Sequence, residues 1–370
     1  MAILLLVALA IWSVLLASTL LDLPHLRDVL PARPPPDAPE VAIIVPARDE
    51  AHQIAACLRS LLSQDWPRFK VICVDDRSTD GTFEVASAMG DPRLEVVRGE
   101  ELPAGWLGKN HANAQGVLRA GAASWLLFTD ADTVHAPAAL ASAFGSAQRA
   151  GADLFTIFTD VRAESFWERL LLPHVLSAVV AMFPARMVND PRSPLAIANG
   201  QYLLIKRAVY DAAGGHAAIR DRVADDLELA RLVKAAGRRL RVENGRKFVS
   251  VRMYMSLRDL WWGFVKNASA GVGGPLLALA AVPFLMVTVL PFFAWPFLRG
   301  PTLLLALAAC AVALGQRLFL FARLFPVNPA WALSLPIAAV VFTGIVLHSA
   351  VRQLTGRGPI WKGREYPYGR

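Results

Sequence analysis

Three cysteines in 370 residues, Cys57, Cys73 and Cys310, are too few and too scattered for a disulfide framework, a zinc knuckle or a redox pair. They are expected as buried, reduced thiols, which suits a domain facing the cytoplasm. A nucleic-acid surface is excluded next. The net charge is +8, yet no basic helix is interleaved with aromatics, and many of the scattered arginines flank apolar spans. Attraction to anionic lipid headgroups is the more economical source of that charge. The amino terminus has no basic lead-in and no clear small-residue cleavage site, which argues against a cleaved signal peptide.

What the chain has in excess is apolar residues, unevenly spread. They make up 55% of the chain, and the mean hydropathy of +0.41 is too high for an ordinary soluble enzyme. Residues 1–22 are long and apolar enough to span a bilayer and are expected as an uncleaved anchor. Arg27 and Arg33 follow, placing the next domain in the cytoplasm by the positive-inside rule. Residues 23–40, rich in proline, predict a stiff linker that lifts this domain off the membrane. Residues 41–270 have the mixed composition of a globular domain, whereas 274–350 are membranous again and 351–370 form a basic tail. Apolar spans fall near 276–298, 303–320 and 331–347. If domain and tail are both cytoplasmic, an even number of crossings must separate them, so one segment is expected to be re-entrant or the first to split at Pro283, Pro291 and Pro296.

The candidate chemistry lies in the middle. Trp125-Leu-Leu-Phe-Thr-Asp-Ala-Asp-Thr133 is an apolar run ending in two carboxylates one residue apart. It predicts a buried strand that delivers Asp130 and Asp132 to its carboxyl end, where open α/β sheets bind ligands. Acids at i and i+2 on an extended segment can straddle a hard divalent cation and, through it, nucleotide phosphates; a solvated turn is the plain alternative. Val41-Ala-Ile-Ile-Val45 and Val71-Ile-Cys-Val74 are further strands, each followed by a polar loop and a helical pattern. That rhythm belongs to a doubly wound sheet whose loop tips converge on one crevice. Asp75 and Asp76 can accept hydrogen bonds from a base or ribose there, while Ser78 and Asp80 either join them or only cap the next helix.

Lys109, in a Gly-punctuated loop just before a helix, suits an anionic diphosphate or is a surface lysine. Residues 166–187, apolar but interrupted by Pro173 and Pro184, are either an interfacial helix at a lipid entrance or a core helix. Gly214-Gly-His216 predicts a flexible turn. Asp225 and Asp226 open an amphipathic helix ending at Gly237; acids there serve the macrodipole or, facing the crevice, supply a general base.

Taken in order, Val45-Pro-Ala-Arg-Asp-Glu50, Val74-Asp-Asp-Arg-Ser-Thr-Asp-Gly-Thr82, Asp130-Ala-Asp132 and Asp225-Asp226 resemble the membrane-bound family 2 glycosyltransferases. The resemblance implies a GT-A fold: a Rossmann-like, doubly wound mixed α/β sheet, here with N-terminal and C-terminal transmembrane helices. It also implies that Pro46, Ala47, Glu50, Asp75, Asp76, Lys109 and Asp130 hold a nucleotide-sugar, that Asp132 binds magnesium or manganese, and that Asp226 is the base, with Asp225 replacing the family's Glu. The family's Asn two residues beyond the Gly-Lys-x-x-Ala pattern is absent, since Ala114 stands there and Asn113 is one place early. Arg252-Met-Tyr254 and Ser256-Leu-Arg-Asp-Leu-Trp-Trp-Gly263 occupy the place of the Gln-x-x-Arg-Trp motif of processive synthases but contain no Gln, which argues for transfer of a single sugar.

More narrowly, Gly105-Trp-Leu-Gly-Lys109, Gly214-Gly-His216, Arg252-Met-Tyr254 and Trp361-Lys-Gly-Arg364 look like the bacterial hopanoid and carotenoid branch. That similarity implies a multi-pass protein of the bacterial inner membrane that transfers sugar, with inversion, from a UDP-sugar to a terpenoid or other lipid acceptor. A polyprenyl-phosphate glycosyltransferase is the nearest rival, kept open by Arg220, Arg222 and Arg252. A nucleotidyltransferase would need a Gly-rich, Lys-bearing loop where Pro46-Ala-Arg-Asp-Glu50 stands. A membrane scaffold that binds a nucleotide-sugar or lipid without turnover has no need of Asp130, Asp132 and Asp226 together.

Overall fold

A computed structural model describes residues 1–271, 273–357, 360–361 and 364–365. The expected basic tail over 351–370, with its signature at 361–364, lies largely outside the described residues. The chain forms two compact units: Leu26–Val161 with Ala185–Arg252, and Met1–His25 with Arg162–Pro184 and Met253–Arg370.

The first unit is built on strands β1 (Val41–Ala47), β2 (Phe69–Asp75), β3 (Leu94–Arg98), β4 (Trp125–Phe128), β5 (Thr133–His135), β6 (Leu154–Phe158), β7 (Asp160–Val161), β8 (Leu203–Lys206), β9 (Leu240–Asn244) and β10 (Val249–Val251). Among the described residues, seven of them form one sheet in the order β3-β2-β1-β4-β8-β6-β9, and β5-β10-β7 form a smaller one. β1 lies parallel to β2 and β4, with Val41 opposite Phe69 and Trp125. All seven β1 residues and all four β4 residues are buried. That is why these strands read as unbroken apolar runs: helices cover both faces of a parallel sheet. β8 runs antiparallel to β4 and β6, making the sheet mixed. Its leading residues therefore return to the edge where β1, β2 and β4 end.

Helix Ile54–Leu62 buries Ile54, Cys57, Leu58, Leu61 and Leu62, a stripe at helical spacing. Each fully buried aliphatic side chain contributes roughly 1.5–3 kcal/mol. Helix Ala139–Ala150 inserts Phe144 edge-on against Trp66 and Trp125, with ring centroids 5.0 and 5.4 Å away. Cys57 and Cys73 are buried as expected, while Cys310 is half-exposed.

Two features of this unit differ from expectation. Residues 26–40 are not a free spacer. Val29 and Ala38 are buried in the core, the Val29 N–H donates to Asn244 O at 2.9 Å, and the Ala32 N–H donates to Ser142 Oγ at 3.1 Å. Isolated apolar residues among prolines thus pin the segment to the sheet. The unit also ends at Arg252 rather than near 270, and residues 162–184 fall outside it.

The second unit is helical and apolar. Ala2–His25, Pro275–Phe297, Gly300–Leu324 and Pro329–Leu354 are each long and apolar enough to cross a membrane. Among the described residues three of them, not an even number, follow Arg252, and Pro283 and Pro291 lie inside one continuous helix instead of splitting it. Apolar helices tolerate such prolines where neighbours re-satisfy the freed backbone groups. Pro173 likewise lies within helix Phe166–Met182, which opens on a capping box between Ser165 and Glu168 and buries Leu170, Leu171, Leu172 and His174. Polar contacts tie the helices: the Trp12 indole N–H donates to Thr288 O at 2.8 Å, Gln316 Nε2 donates to Thr19 Oγ1 at 3.0 Å, and His174 Nε2 meets Ser334 Oγ at 3.1 Å.

Candidate active site

The carboxyl ends of β1, β2 and β4 and the approach to β8 bring four loops to one edge of the sheet. At β1 and β2, Ala47 lies opposite Asp75, and the Asp76 N–H donates to Ala47 O at 2.7 Å, so Pro46, Ala47, Asp75 and Asp76 are neighbours. The buried Arg48 clamps the pair by donating to Asp76 O at 2.5 Å and Arg77 O at 3.2 Å. Ser78 Oγ accepts the Asp49 N–H at 2.9 Å, and Asp80 Oδ2 accepts the Ala51 N–H at 2.9 Å. The next helix, Thr82–Ser87, starts from Gly81 with no side-chain cap bond; Asp80 reaches its first residue, accepting the Thr82 N–H at 3.0 Å. Ser78 and Asp80 therefore brace one loop against the other. Asp49 and Arg77, both in these loops, adopt φ of 50° and 55°. Such left-handed non-glycine residues persist where surrounding bonds fix them. Asp75 Oδ1 is buried with no hydrogen-bond partner among the described residues.

Beyond β4, hydroxyls and a histidine fix the acidic loop. Thr133 Oγ1 donates to Asp130 O at 2.8 Å, Thr129 Oγ1 donates to Gln201 O at 2.8 Å, and His135 Nε2 lies 3.0 Å from both hydroxyls. Asp130 Oδ1 is 2.8 Å from Lys109 Nζ, and Asp225 Oδ1 is 3.5 Å from the same nitrogen. Asp226 accepts the Gly200 N–H on Oδ2 and the Leu227 N–H on Oδ1, each at 2.8 Å. Burial alone would lower Lys109; the carboxylates of Asp130, Asp225 and Asp226 overcome it and hold the ammonium above the usual lysine range. Burial, then the Asp225 carboxylate, pushes Asp226 up to about 6.

Asp132 is the unusual member. Its Oδ1 is buried without a hydrogen-bond partner among the described residues, and burial followed by the charges of Asp130 and Glu50 drives its carboxyl far above the carboxylate range. A carboxylate so placed either takes a proton or needs a cation. No group of three His, Cys, Asp or Glu side chains that could hold a metal ion occurs among the described residues. Magnesium and manganese sites that use one or two carboxylates, with water and substrate phosphates completing the shell, need no such group. The donor set therefore fits a cation brought in with a diphosphate.

Residues 42–227 match the family model described as glycosyl transferase family 2. The chain belongs to this family. A relative, 4,4'-diaponeurosporenoate glycosyltransferase of Staphylococcus aureus, is 28% identical over 341 residues, covering 88% of each chain. The mannosyltransferase PcManGT of Pyrobaculum calidifontis, solved in complex with GDP-Man and Mn2+, is similar in structure with a TM-score of 0.55 at 22% identity, over 95% of this chain and 99% of that one. That likeness shows the fold, and the mixed sheet of this glycosyltransferase is of the GT-A type.

The sequence of this glycosyltransferase offers Asn113 and His216 but not the contacts that join them to this cluster. Asn113 is buried, with Nδ2 3.2 Å from His216 Nε2, and His216 Nδ1 is 2.8 Å from the Tyr210 hydroxyl. His216 Nε2 lies 3.9 Å from Asp225 Oδ2, so the histidine backs the acidic pair; burial pulls it down to about 4, leaving it neutral. The expected flexible turn at Gly214 and Gly215 is instead tight: a Cβ on Gly215 would sit 2.5 Å from the Tyr210 ring. Asn110 Nδ2 donates to Ile219 O at 2.8 Å and Arg222 O at 3.0 Å, tying the helix that carries Lys109 to the loop before Asp225.

Gly200 is the other missed position. A Cβ there would lie 2.9 Å from Lys109 Nζ and 3.4 Å from Asp226 Oδ2. Because the ammonium ends a flexible chain, Gly200→Ala is expected to leave the melting temperature nearly unchanged while displacing Lys109. Sugar transfer should fall about tenfold, since misplacements of an ångström at a catalytic centre can cost up to about a hundredfold. Steady-state kinetics beside a thermal melt check this; a large loss of stability would show that the clash is absorbed by the backbone instead.

Proposed function

We propose that this glycosyltransferase moves one sugar, with inversion and without processivity, from a nucleotide-diphosphate sugar to a lipid acceptor in the membrane. The observation that carries the reading is the cluster of Lys109, Asp130, Asp225, Asp226 and the Gly200 N–H beside the unsatisfied Asp132 carboxylate. Glu50, Asp76 and the open oxygen of Asp75 receive the base and ribose, with Pro46 and Ala47 forming the floor. Asp132 would hold magnesium or manganese, with Asp130 beside it on the nucleotide-sugar. Such an ion, when bound, neutralises charge developing on the departing nucleotide. Lys109 adds a fixed positive charge for the diphosphate.

Asp226 takes the proton of an acceptor hydroxyl as that oxygen attacks the anomeric carbon from the face opposite the nucleotide, which gives inversion in one displacement. Both of its oxygens are tied to backbone N–H groups, so its carboxylate plane is set before the acceptor arrives. The absence of Gln over residues 252–263 supports single-sugar transfer. The carotenoid relative and the four apolar helices support a terpenoid acceptor, a hopanoid or carotenoid, drawn from the bacterial inner membrane by a cytoplasmic catalytic unit. Exposed Arg220 and Arg222 favour, as the second reading, a polyprenyl phosphate acceptor.

Purified protein given a panel of nucleotide-sugars and extracted membrane lipids tests this. UDP should be released and labelled sugar should appear in the lipid fraction, and EDTA should stop both. Release that is indifferent to chelator, or no turnover with any donor, would sink the proposal; label confined to polyprenyl phosphate would select the second reading. The pH profile is a further check. Asp226 must be ionised to act, and its carboxyl is raised to about 6, so kcat/KM should be flat above that pH and fall tenfold per unit below it. A profile flat down to pH 4.5 would exclude Asp226 as the base.

A further inference from the structure

We infer that the outer edge of the large sheet holds a binding site for the phosphate headgroup of an anionic phospholipid. A cavity of about 320 Å³ lies against edge strand β9, lined by Arg27, Asp28, Arg149, Arg239, Arg241 and Glu243 among others. Three strand spacings, about 14 Å, separate β9 from β4. The cavity shares no residue with the site described above.

Charge decides what it takes. Four arginines face two carboxylates, and both carboxylates are engaged. Asp28 Oδ1 accepts the Asn244 Nδ2 donor at 2.7 Å, and Glu243 Oε1 accepts from Arg241 Nη2 at 2.9 Å. Arg149 donates to Ser146 Oγ at 2.8 Å and, like Arg27 and Arg239, has no carboxylate partner among the described residues. Arginines on an edge strand commonly serve only to discourage strand pairing, and one in the last turn of a helix suits the macrodipole. Those roles call for single arginines scattered over a surface, not for several from separate elements gathered at one cavity. Here Arg27 from the chain leaving the first helix, Arg149 from the end of Ala139–Ala150, and Arg239 and Arg241 at β9 line one cavity. A cavity lined by arginines in excess of its carboxylates, three of them without a carboxylate partner among the described residues, selects phosphate.

The source follows from the chain. Arg27 is two residues beyond His25, the last residue of the apolar helix Ala2–His25, and two residues span at most about 7 Å. That is the depth of the headgroup layer, in which phospholipid phosphates lie. The inference rests on the membrane part of the proposed function, because it requires Ala2–His25 to cross the bilayer.

Full-length protein in neutral detergent, titrated with dioctanoyl phosphatidylglycerol, dioctanoyl phosphatidylcholine or inorganic phosphate and read by native mass spectrometry, tests it. Wild type should retain one phosphatidylglycerol in preference to phosphatidylcholine, with millimolar inorganic phosphate unable to displace it. Arg149→Ala with Arg239→Ala should weaken phosphatidylglycerol about tenfold, the loss expected from charge-assisted bonds, while nucleotide release from the donor stays unchanged. Arg239→Lys, which keeps the charge and controls for folding, should recover part of the affinity. Equal retention of both lipids, equal retention by the double variant, or displacement by phosphate would overturn the assignment. Alkaline carbonate extraction separates the two layers: a chain released by carbonate fails the membrane reading, whereas an integral chain indifferent to phosphatidylglycerol fails the cavity alone.

Discussion

Asp132→Ala is expected to lower sugar transfer by at least about a hundredfold while making the metal-free protein no less stable. The two halves have one cause. In the folded chain the Asp132 carboxyl is buried, one oxygen has no partner among the described residues, and Asp130 and Glu50 bring negative charge toward it. An unpartnered buried polar group costs about 1–3 kcal/mol, and more when charged. Removing it therefore relieves the fold. The same feature makes it the carboxylate best suited to a divalent cation, and losing about 3 kcal/mol of charge neutralisation on the leaving nucleotide corresponds to roughly a hundredfold in rate. Thermal melts with and without manganese should show the wild type stabilised by metal plus nucleotide and the variant indifferent to it. A variant that melts much lower yet transfers sugar normally would make Asp132 a structural residue and move the metal elsewhere. Sites that trade stability for activity in this way are the ones a local rule of burial fails to predict.

Much of the scaffold was legible because buried parallel strands leave a strong signal. Val41 to Val45, Val71 to Val74 and Trp125 to Phe128 are apolar on both faces, and the polar residues that end them lie where the sheet edge needs them. The four long apolar helices were legible for an equally simple reason, length in an apolar composition. What escaped depends on relations between distant residues. The strand Leu203–Lys206 runs against β4, and that direction, which no local pattern sets, brings Gly200 beside Asp226 and Lys109. His216, Tyr210 and Asn113 form a contact set across 103 residues that no local pattern announces. Pro173 and Pro283 were expected to interrupt helices that in fact continue, and apolar helices tolerate proline better than soluble ones do. The proline-rich segment 23–40 looked like a spacer because Val29 and Ala38, two residues that anchor it, are too few to form a periodic stripe.

Asp226→Asn is expected to cost about a hundredfold to ten-thousandfold in transfer to a hydroxyl acceptor, the range for losing a general base. The size of the loss reports the acceptor's chemistry as well as the residue's role. A carboxylate or phosphate acceptor arrives already ionised, so a base has no proton to remove, and Asp226 would then only orient it. The substitution is not sterically idle. Asp226 accepts one backbone N–H on each oxygen, and an asparagine can present a carbonyl to only one of them. Either the Gly200 or the Leu227 N–H then faces an amide donor, which by itself destabilises by about 1–3 kcal/mol. Stability loss alone would lower the active fraction equally for every acceptor, whereas loss of a base discriminates between them. Parallel assays with a hydroxyl-bearing and a carboxylate-bearing terpenoid separate these causes. A large defect on the first and a small one on the second, with the donor KM unchanged and the acid limb of the pH profile gone, is the signature of a base. An equal defect on both would assign Asp226 to holding the Gly200 loop, and the proton would then have to leave through another group of the cluster, with Asp225 nearest in the chain.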